Sequence, residues 1–201
     1  PGSVVAVMGR NGSGKTTLLR ILATSLRPTR GGGTVFGHDL VDDSDAVRAQ
    51  VGVLYHAAGV YGDLTARENL EFARRMWGGT AVVSVEAALD RVGLLAAGDE
   101  RAAGFSSGMA RRLALARLVM RPPRLLLLDE PYASFDAEGI ELVQGMVREV
   151  AGRGGVVLIA THDPARSLAV ADRVLRLEEG RTVEQEGHPV EGPTLAVESV
   201  R

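Results

Sequence analysis

The sequence predicts an α/β fold with a mostly parallel central sheet, a small antiparallel β-region and a helical insertion. Three observations carry this reading. Short apolar runs such as SVVAVM and RLLLLD have the length, and the lack of alternation, of strands buried on both faces. Stretches with helical spacing lie between them, and strands alternating with helices imply parallel pairing through crossovers. The block from Leu64 to Met120 carries no strand signal, so it reads as an insertion of helices.

The elements follow in order. Ser3–Gly9 is a buried strand ending in glycine, and KTTLLRILATSL after Gly14 is a helix with Pro28 shortly beyond it. RGGGTVFGHDL is glycine-rich with a small strand, and Val51–Tyr55 is another buried strand. Thr65 followed three residues later by Glu68 makes a capping box, opening a helix that stops at Gly78–Gly79. SVEAALDRVGLL and Gly108–Met120 read as helices, the second ended by Pro122 and Pro123. Arg124–Glu130 is a strand running into acids, and Asp136–Val150 is a helix closing at Gly152 and Gly154. Val156–Asp163 and Arg173–Gly180 complete the strands, and the tail from Gly187 gives no signal. The expectation is one domain over residues 1–201. Its core is residues 1–63 and 121–185, and its helical part is residues 64–120.

Composition removes several functions. A net charge of −2 argues against a general nucleic-acid binder. With no cysteine there are no disulfides, thiolate zinc sites or cysteine nucleophiles. No apolar run reaches the ~20 residues of a membrane-spanning helix, so any membrane link goes through a partner. Lys15 is the sole lysine among 23 basic residues. Codon bias toward arginine would replace lysine wherever either serves. A position that keeps it needs a compact charge on a thin stem rather than a wide planar fork.

That position lies in GRNGSGKT, between a strand and a helix. Gly9, Asn11, Gly12, Ser13, Gly14, Lys15, Thr16 and Thr17 form or adjoin a phosphate-binding loop. Its glycines let backbone N–H groups turn inward around phosphates, and the helix N-terminus adds partial positive charge. Lys15 reaches phosphate oxygens, and Thr16 offers a hydroxyl to Mg²⁺. The competing reading is a glycine-rich turn that merely joins two elements.

Two further candidates stand after apolar strands. Asp129 and Glu130 place two carboxylates at a strand's C-terminal end, where α/β folds bind ligands. Asp129 would hold magnesium through water, and Glu130 would orient or deprotonate an attacking water. Alone, such acids would read as a helix cap or solvated turn. His162 follows another apolar strand at the same sheet edge, where a lone histidine would more often be a structural hydrogen-bonder.

In this order the motifs resemble the ATP-binding-cassette (ABC) ATPases, P-loop NTPases, from Ser3 to about Arg181. The resemblance assigns Gly9–Thr16 as phosphate loop, Asp129 and Glu130 as the acidic strand end, Ser134-Phe135-Asp136 as the loop beyond it and His162 as the switch histidine. FSSGM, Phe105–Met109, sits where the family's Leu-Ser-Gly-Gly-Gln signature belongs, followed by RRLALARLVM. The resemblance implies ATP and Mg²⁺ as cofactors. It implies two copies paired head to tail around two ATP, with Ser106 and Gly108 meeting the γ-phosphate bound by the opposite copy. It further implies an integral membrane transporter subunit as partner, and a peripheral position on the cytoplasmic face of the cell membrane.

Ser107 stands where the family has the first signature glycine and Met109 where it has glutamine, and weaker closure is expected. His56 replaces the glutamine that contacts metal and water. The stretch YHAAGVYGDLTARENLEFARRMWG is similar to the ATPase subunit of haem exporters of cytochrome c maturation. Its Leu-Thr-x-x-Glu-Asn-Leu also occurs in drug-efflux cassettes. The family carries an adenine-stacking aromatic on earlier strands, so the sequence reads as truncated at its N-terminus. A transporter ATPase is therefore expected. Multidrug or antibiotic efflux, and a nucleotide-gated regulatory or assembly module with weak hydrolysis, are the alternatives.

Overall fold

The structure is a computed structural model, and it describes residues 2–133, 135–162, 167 and 169–187. The expectations at Ser134, Asp163 and the tail beyond Gly187 lie outside these residues. The chain divides into two compact units: Pro1–Val53, Pro123–Pro131 and Glu149–Arg201 form one, and Leu54–Pro122 with Tyr132–Arg148 form the other.

The first unit is built on a six-stranded sheet. Its strands are β1 (Ser3–Met8), β4 (Val51–Leu54), β5 (Leu125–Asp129), β6 (Val156–Thr161), β7 (Arg173–Glu178) and β8 (Arg181–Gly187), in the order β4-β5-β6-β1-β7-β8. β1 runs parallel to both β6 and β7, and β5 parallel to β6. All five residues of β5 are buried, as unalternating leucine requires. Val7, Leu127, Leu158 and Ala160 from the sheet pack with Leu19 of α1 (Lys15–Leu22) to form the core. Parallel pairing brings the ends of β1, β5 and β6 to one edge, with the loop before α1 and the acids after β5 beside each other.

Four details differ from expectation. α1 stops at Leu22, four residues short of the expected Leu26: Thr24 takes a left-handed φ of 55°. The amide of Ser25 then bonds back to the Arg20 carbonyl at 2.8 Å. The glycine-rich region holds a strand pair rather than one strand, β2 (Thr34–Val35) and β3 (His38–Asp39), turned at Phe36 and Gly37 with φ of 51° and 85°. β8, antiparallel to β7, was not expected. Glu179 and Gly180, at φ of 49° and 77°, make the two-residue turn that fits a hairpin's twist. A five-residue helix, α2 (Ser44–Arg48), also escaped the sequence reading.

The second unit is helical: α3 (Ala66–Met76), α4 (Val85–Arg91), α5 (Ser107–Met120) and the first turns of α6 (Ala137–Gly152). The capping box at Thr65 is present, with Thr65 Oγ1 accepting from the Glu68 amide and Glu68 accepting from the Thr65 amide. Its bounds place Tyr132–Arg148 with the helices rather than with the core residues 121–185. Arg112 explains part of this, since its guanidinium donates to both Asp136 and Glu138 at 2.9 Å.

Candidate functional site

The loop between β1 and α1 is shaped by glycine where a side chain has no room. A Cβ on Gly9 would lie 2.3 Å from the Leu177 carbonyl oxygen and 2.5 Å from Ser13 Oγ. Gly14 caps α1 in the left-handed region at φ 102°, which releases the helix from the loop without strain. The Gly180 amide of the β7–β8 turn donates to the Ser13 carbonyl at 3.0 Å and steadies the loop from outside. The unanticipated hairpin thus supports the loop between β1 and α1.

Lys15 is 7% exposed, and its Nζ donates to the carbonyls of Gly9 at 2.7 Å and Arg10 at 3.2 Å. The ammonium therefore curls back along the inside of its own loop, in a space that suits a thin stem. Ser13 Oγ is buried and has no hydrogen-bond partner among the described residues. A buried hydroxyl without a partner is costly and calls for an acceptor. Asn11, Gly12 and Thr17 are exposed on the loop and the first turn of α1.

Across the sheet edge, Thr16 Oγ1 lies 2.9 Å and 3.1 Å from the two carboxylate oxygens of Asp129. A hydroxyl and a carboxylate, both hard oxygen donors beside a helix N-terminus, suit Mg²⁺, which takes one or two such ligands and keeps waters. Among the described residues no group of three or more His, Asp or Glu is placed so that it could cage a metal ion.

Glu130 follows with a left-handed φ of 48°, strained for a residue with a Cβ. Its amide donates to the Ala160 carbonyl at 2.9 Å, which carries the carboxylate over the end of β6. There Oε1 accepts from the His162 amide at 3.0 Å and lies 2.7 Å from His162 Nδ1, while Oε2 accepts from Thr161 Oγ1 at 3.1 Å. The structure thus brings together Lys15 with its loop, Thr16 with Asp129, and Glu130 with His162. Thr161 was passed over in the sequence; it lies directly before the histidine, and the signal was a polar residue closing an otherwise apolar strand.

The remaining candidates lie in the helical unit. Ser106 caps α5, its Oγ accepting from the Met109 amide at 3.2 Å, which leaves the hydroxyl hydrogen free to donate outward. Ser106 and Ser107 are exposed at that helix N-terminus, with Gly108 half-buried behind them. Asp136 caps α6 by accepting from the Gly139 amide at 2.8 Å. That bond and the Arg112 guanidinium hold its carboxyl below the ordinary range. His56 is exposed after β4. Sequence reasoning missed the arginines of α5: Arg111 donates to the Ala133 carbonyl at 2.7 Å, and Arg117 donates to the carbonyls of Ala58 and Gly59 at 2.7 and 3.0 Å.

Comparison with known proteins points one way. A family model described as ABC transporter matches residues 1–133. The cytochrome c biogenesis ATP-binding export protein CcmA of Bordetella bronchiseptica is 42% identical over 180 residues, covering 89% of this chain and 80% of that protein. The daunorubicin resistance ATP-binding protein DrrA3 of Streptomyces coeruleorubidus is 37% identical over 185 residues, covering 90% of this chain and 58% of that protein. Among solved structures, a dimeric ATP-binding cassette in a post-hydrolysis state bound to ADP and Pi superposes with a TM-score of 0.81 at 25% identity, covering 92% of this chain and 85% of that one. The ATP-binding subunit of an ABC transporter gives a TM-score of 0.83 at 25% identity, covering 92% of this chain and 79% of that one.

Proposed function

The chain belongs to the ABC transporter family, and from that premise we propose how its residues hydrolyse ATP and what the hydrolysis drives. The single observation that carries the proposal is the pairing of Glu130 with His162 at the sheet edge that also holds the Thr16–Asp129 pair. Lys15 and the N–H groups of residues 9–16 bind the β- and γ-phosphates, and the N-terminus of α1 favours their charge. Ser13 Oγ gains a phosphate oxygen as its acceptor. Thr16 directly, and Asp129 through water, would hold Mg²⁺, which neutralises charge developing on the transferred phosphoryl group. Glu130 accepts a proton from, or orients, the attacking water, and His162 holds that carboxylate and reaches the γ-phosphate.

The other half of each site comes from a second copy. Its Ser106 hydroxyl, Gly108 amide and α5 N-terminus meet the γ-phosphate, so that ATP joins two chains head to tail and hydrolysis lets them part. His56 acts from the loop after β4. The apolar surface of Tyr61 and Phe72, whose rings meet edge to face at 5.0 Å, with Met76 beside them on α3, is the docking face for an integral membrane subunit. The protein then works peripherally at the cytoplasmic face of the membrane. Among the described residues no helix is long and apolar enough to cross a membrane. The cargo is haem for cytochrome c biogenesis, a reading supported by the likeness to CcmA. Drug efflux is the second reading, supported by the likeness to DrrA3.

Phosphate release from Mg-ATP by the native chain and by Glu130→Gln tests the chemistry. Loss of hydrolysis with retained nucleotide binding is expected, and unchanged release would remove Glu130 from its role. The chain has no cysteine, so cysteines introduced at Gly12 and Ser107 report on pairing cleanly. ATP-dependent crosslinks between chains are expected in the Glu130→Gln background, and their absence would defeat the head-to-tail arrangement. Co-purification with a membrane protein, and the identity of that protein, decides between haem and drug cargo.

A further inference from the structure

Glu130 has a flexible side chain on a strained residue, and fixing such a chain costs rotamer freedom. Something must hold it where it works. Its two oxygens are held differently. Oε1 is met twice by His162, through the amide and through Nδ1, but that side chain is 63% exposed. Oε2 is met by the Thr161 hydroxyl, on a residue only 2% exposed. A hydroxyl–carboxylate bond shielded from water is stronger than one in solvent. Threonine is β-branched and stiff at χ1, so its Oγ1 has a fixed direction. Thr161 itself is locked in β6 as the partner of Met8 across the parallel ladder. The carboxylate plane of Glu130 is thereby referred to the centre of the sheet, beyond its own strand.

We propose that Thr161 is a positioning residue for ATP hydrolysis: its buried hydroxyl fixes Glu130 Oε2, so that the carboxylate is aimed before the attacking water arrives. The inference rests on Glu130 being the carboxylate that handles this water. Thr161 touches neither nucleotide nor water in this role. Its effect falls on the rate of the chemical step and not on nucleotide affinity.

The test compares Thr161→Val, which keeps the shape and removes the donor, with Thr161→Ser, which keeps the donor, in steady-state hydrolysis of Mg-ATP by the full chain. Thr161→Val is expected to lower kcat by roughly 10- to 100-fold, the scale of a misplaced catalytic group. The KM should stay within about twofold. Thr161→Ser should keep kcat within about threefold of native, which packing alone would not achieve. A native-like kcat in Thr161→Val beside an inert Glu130→Gln overturns the inference and leaves the reading of Glu130 intact. A serine variant as impaired as the valine one overturns it equally. An active Glu130→Gln removes the reading, and the inference with it.

Discussion

Thr16 and Asp129 stand at the start of a helix and the end of a strand, yet the threonine hydroxyl lies within 3.1 Å of both carboxylate oxygens. The contact joins α1 to β5 at the place where phosphate and metal chemistry would meet. Asp129 is 6% exposed, so its charge is shielded from bulk water and acts strongly at short range. Asp129→Asn keeps the shape and one acceptor while removing the charge. Hydrolysis with Mg-ATP should fall by at least ~100-fold, the scale of a lost electrostatic partner of the transition state. Binding of ATP in chelator, where no metal is present to be held, should change little. Equal loss in both conditions would mean that Asp129 serves the fold and not a metal.

The single lysine gives a second prediction. Lys15 Nζ reaches two carbonyls of its own loop from a nearly closed position, and a guanidinium there would be too broad to follow the same curve. Lys15→Arg should therefore fail although it preserves charge. Titration with a fluorescent ATP analogue should show affinity at least ~10-fold weaker than native, about 1.4 kcal/mol. Native affinity in the arginine variant would show that the loop accepts either cation and that its shape does not select lysine.

Most of this site was legible in the sequence because its signals are local. Glycines that must accept crowded or left-handed geometry, and leucines that end in acids, announce themselves without tertiary information. Elsewhere the signal was weak for physical reasons. β8 is an edge strand rich in charge, so it lacks the apolar run that marked the inner strands. α2, at five residues, is too short to show a period. Arg111, Arg112 and Arg117 look in the sequence like the solvated face of a helix. Their carbonyl and carboxylate partners lie 20 or more positions away, and only the fold brings them together.

Asp136 yields a pH dependence. The Gly139 amide and then the Arg112 guanidinium lower its pKa from the ordinary 3.8. A carboxyl whose folded pKa is depressed contributes stability that is fully present above its unfolded value and lost as pH falls through the folded one. Thermal melts of native protein and Arg112→Gln should differ at neutral pH, with the variant melting lower. The gap should narrow below about pH 4 as carboxyls protonate. A gap that stays constant into acid would show that Arg112 acts through packing or through the Val92 carbonyl instead.

Arg117 is the test of a half-buried cation held by backbone carbonyls. Burial pushes its pKa down from the ordinary value. Among the described residues no carboxylate pairs with it, and its guanidinium donates to the carbonyls of Ala58 and Gly59. Those carbonyls belong to the loop after β4 that also carries His56 and Tyr61, so one side chain of α5 fixes the course of that loop. Arg117→Met keeps most of the stem and deletes both donors, at an expected cost of about 2 kcal/mol for two charge-assisted bonds partly replaced by water. Lysine can reach only one carbonyl at a time, and Arg117→Lys should fall between. Because a guanidinium stays charged throughout, the difference should not vary from about pH 6 to about pH 9. Denaturant titration gives these values directly. A methionine variant within about 0.5 kcal/mol of native would mean that the loop holds its course without the arginine.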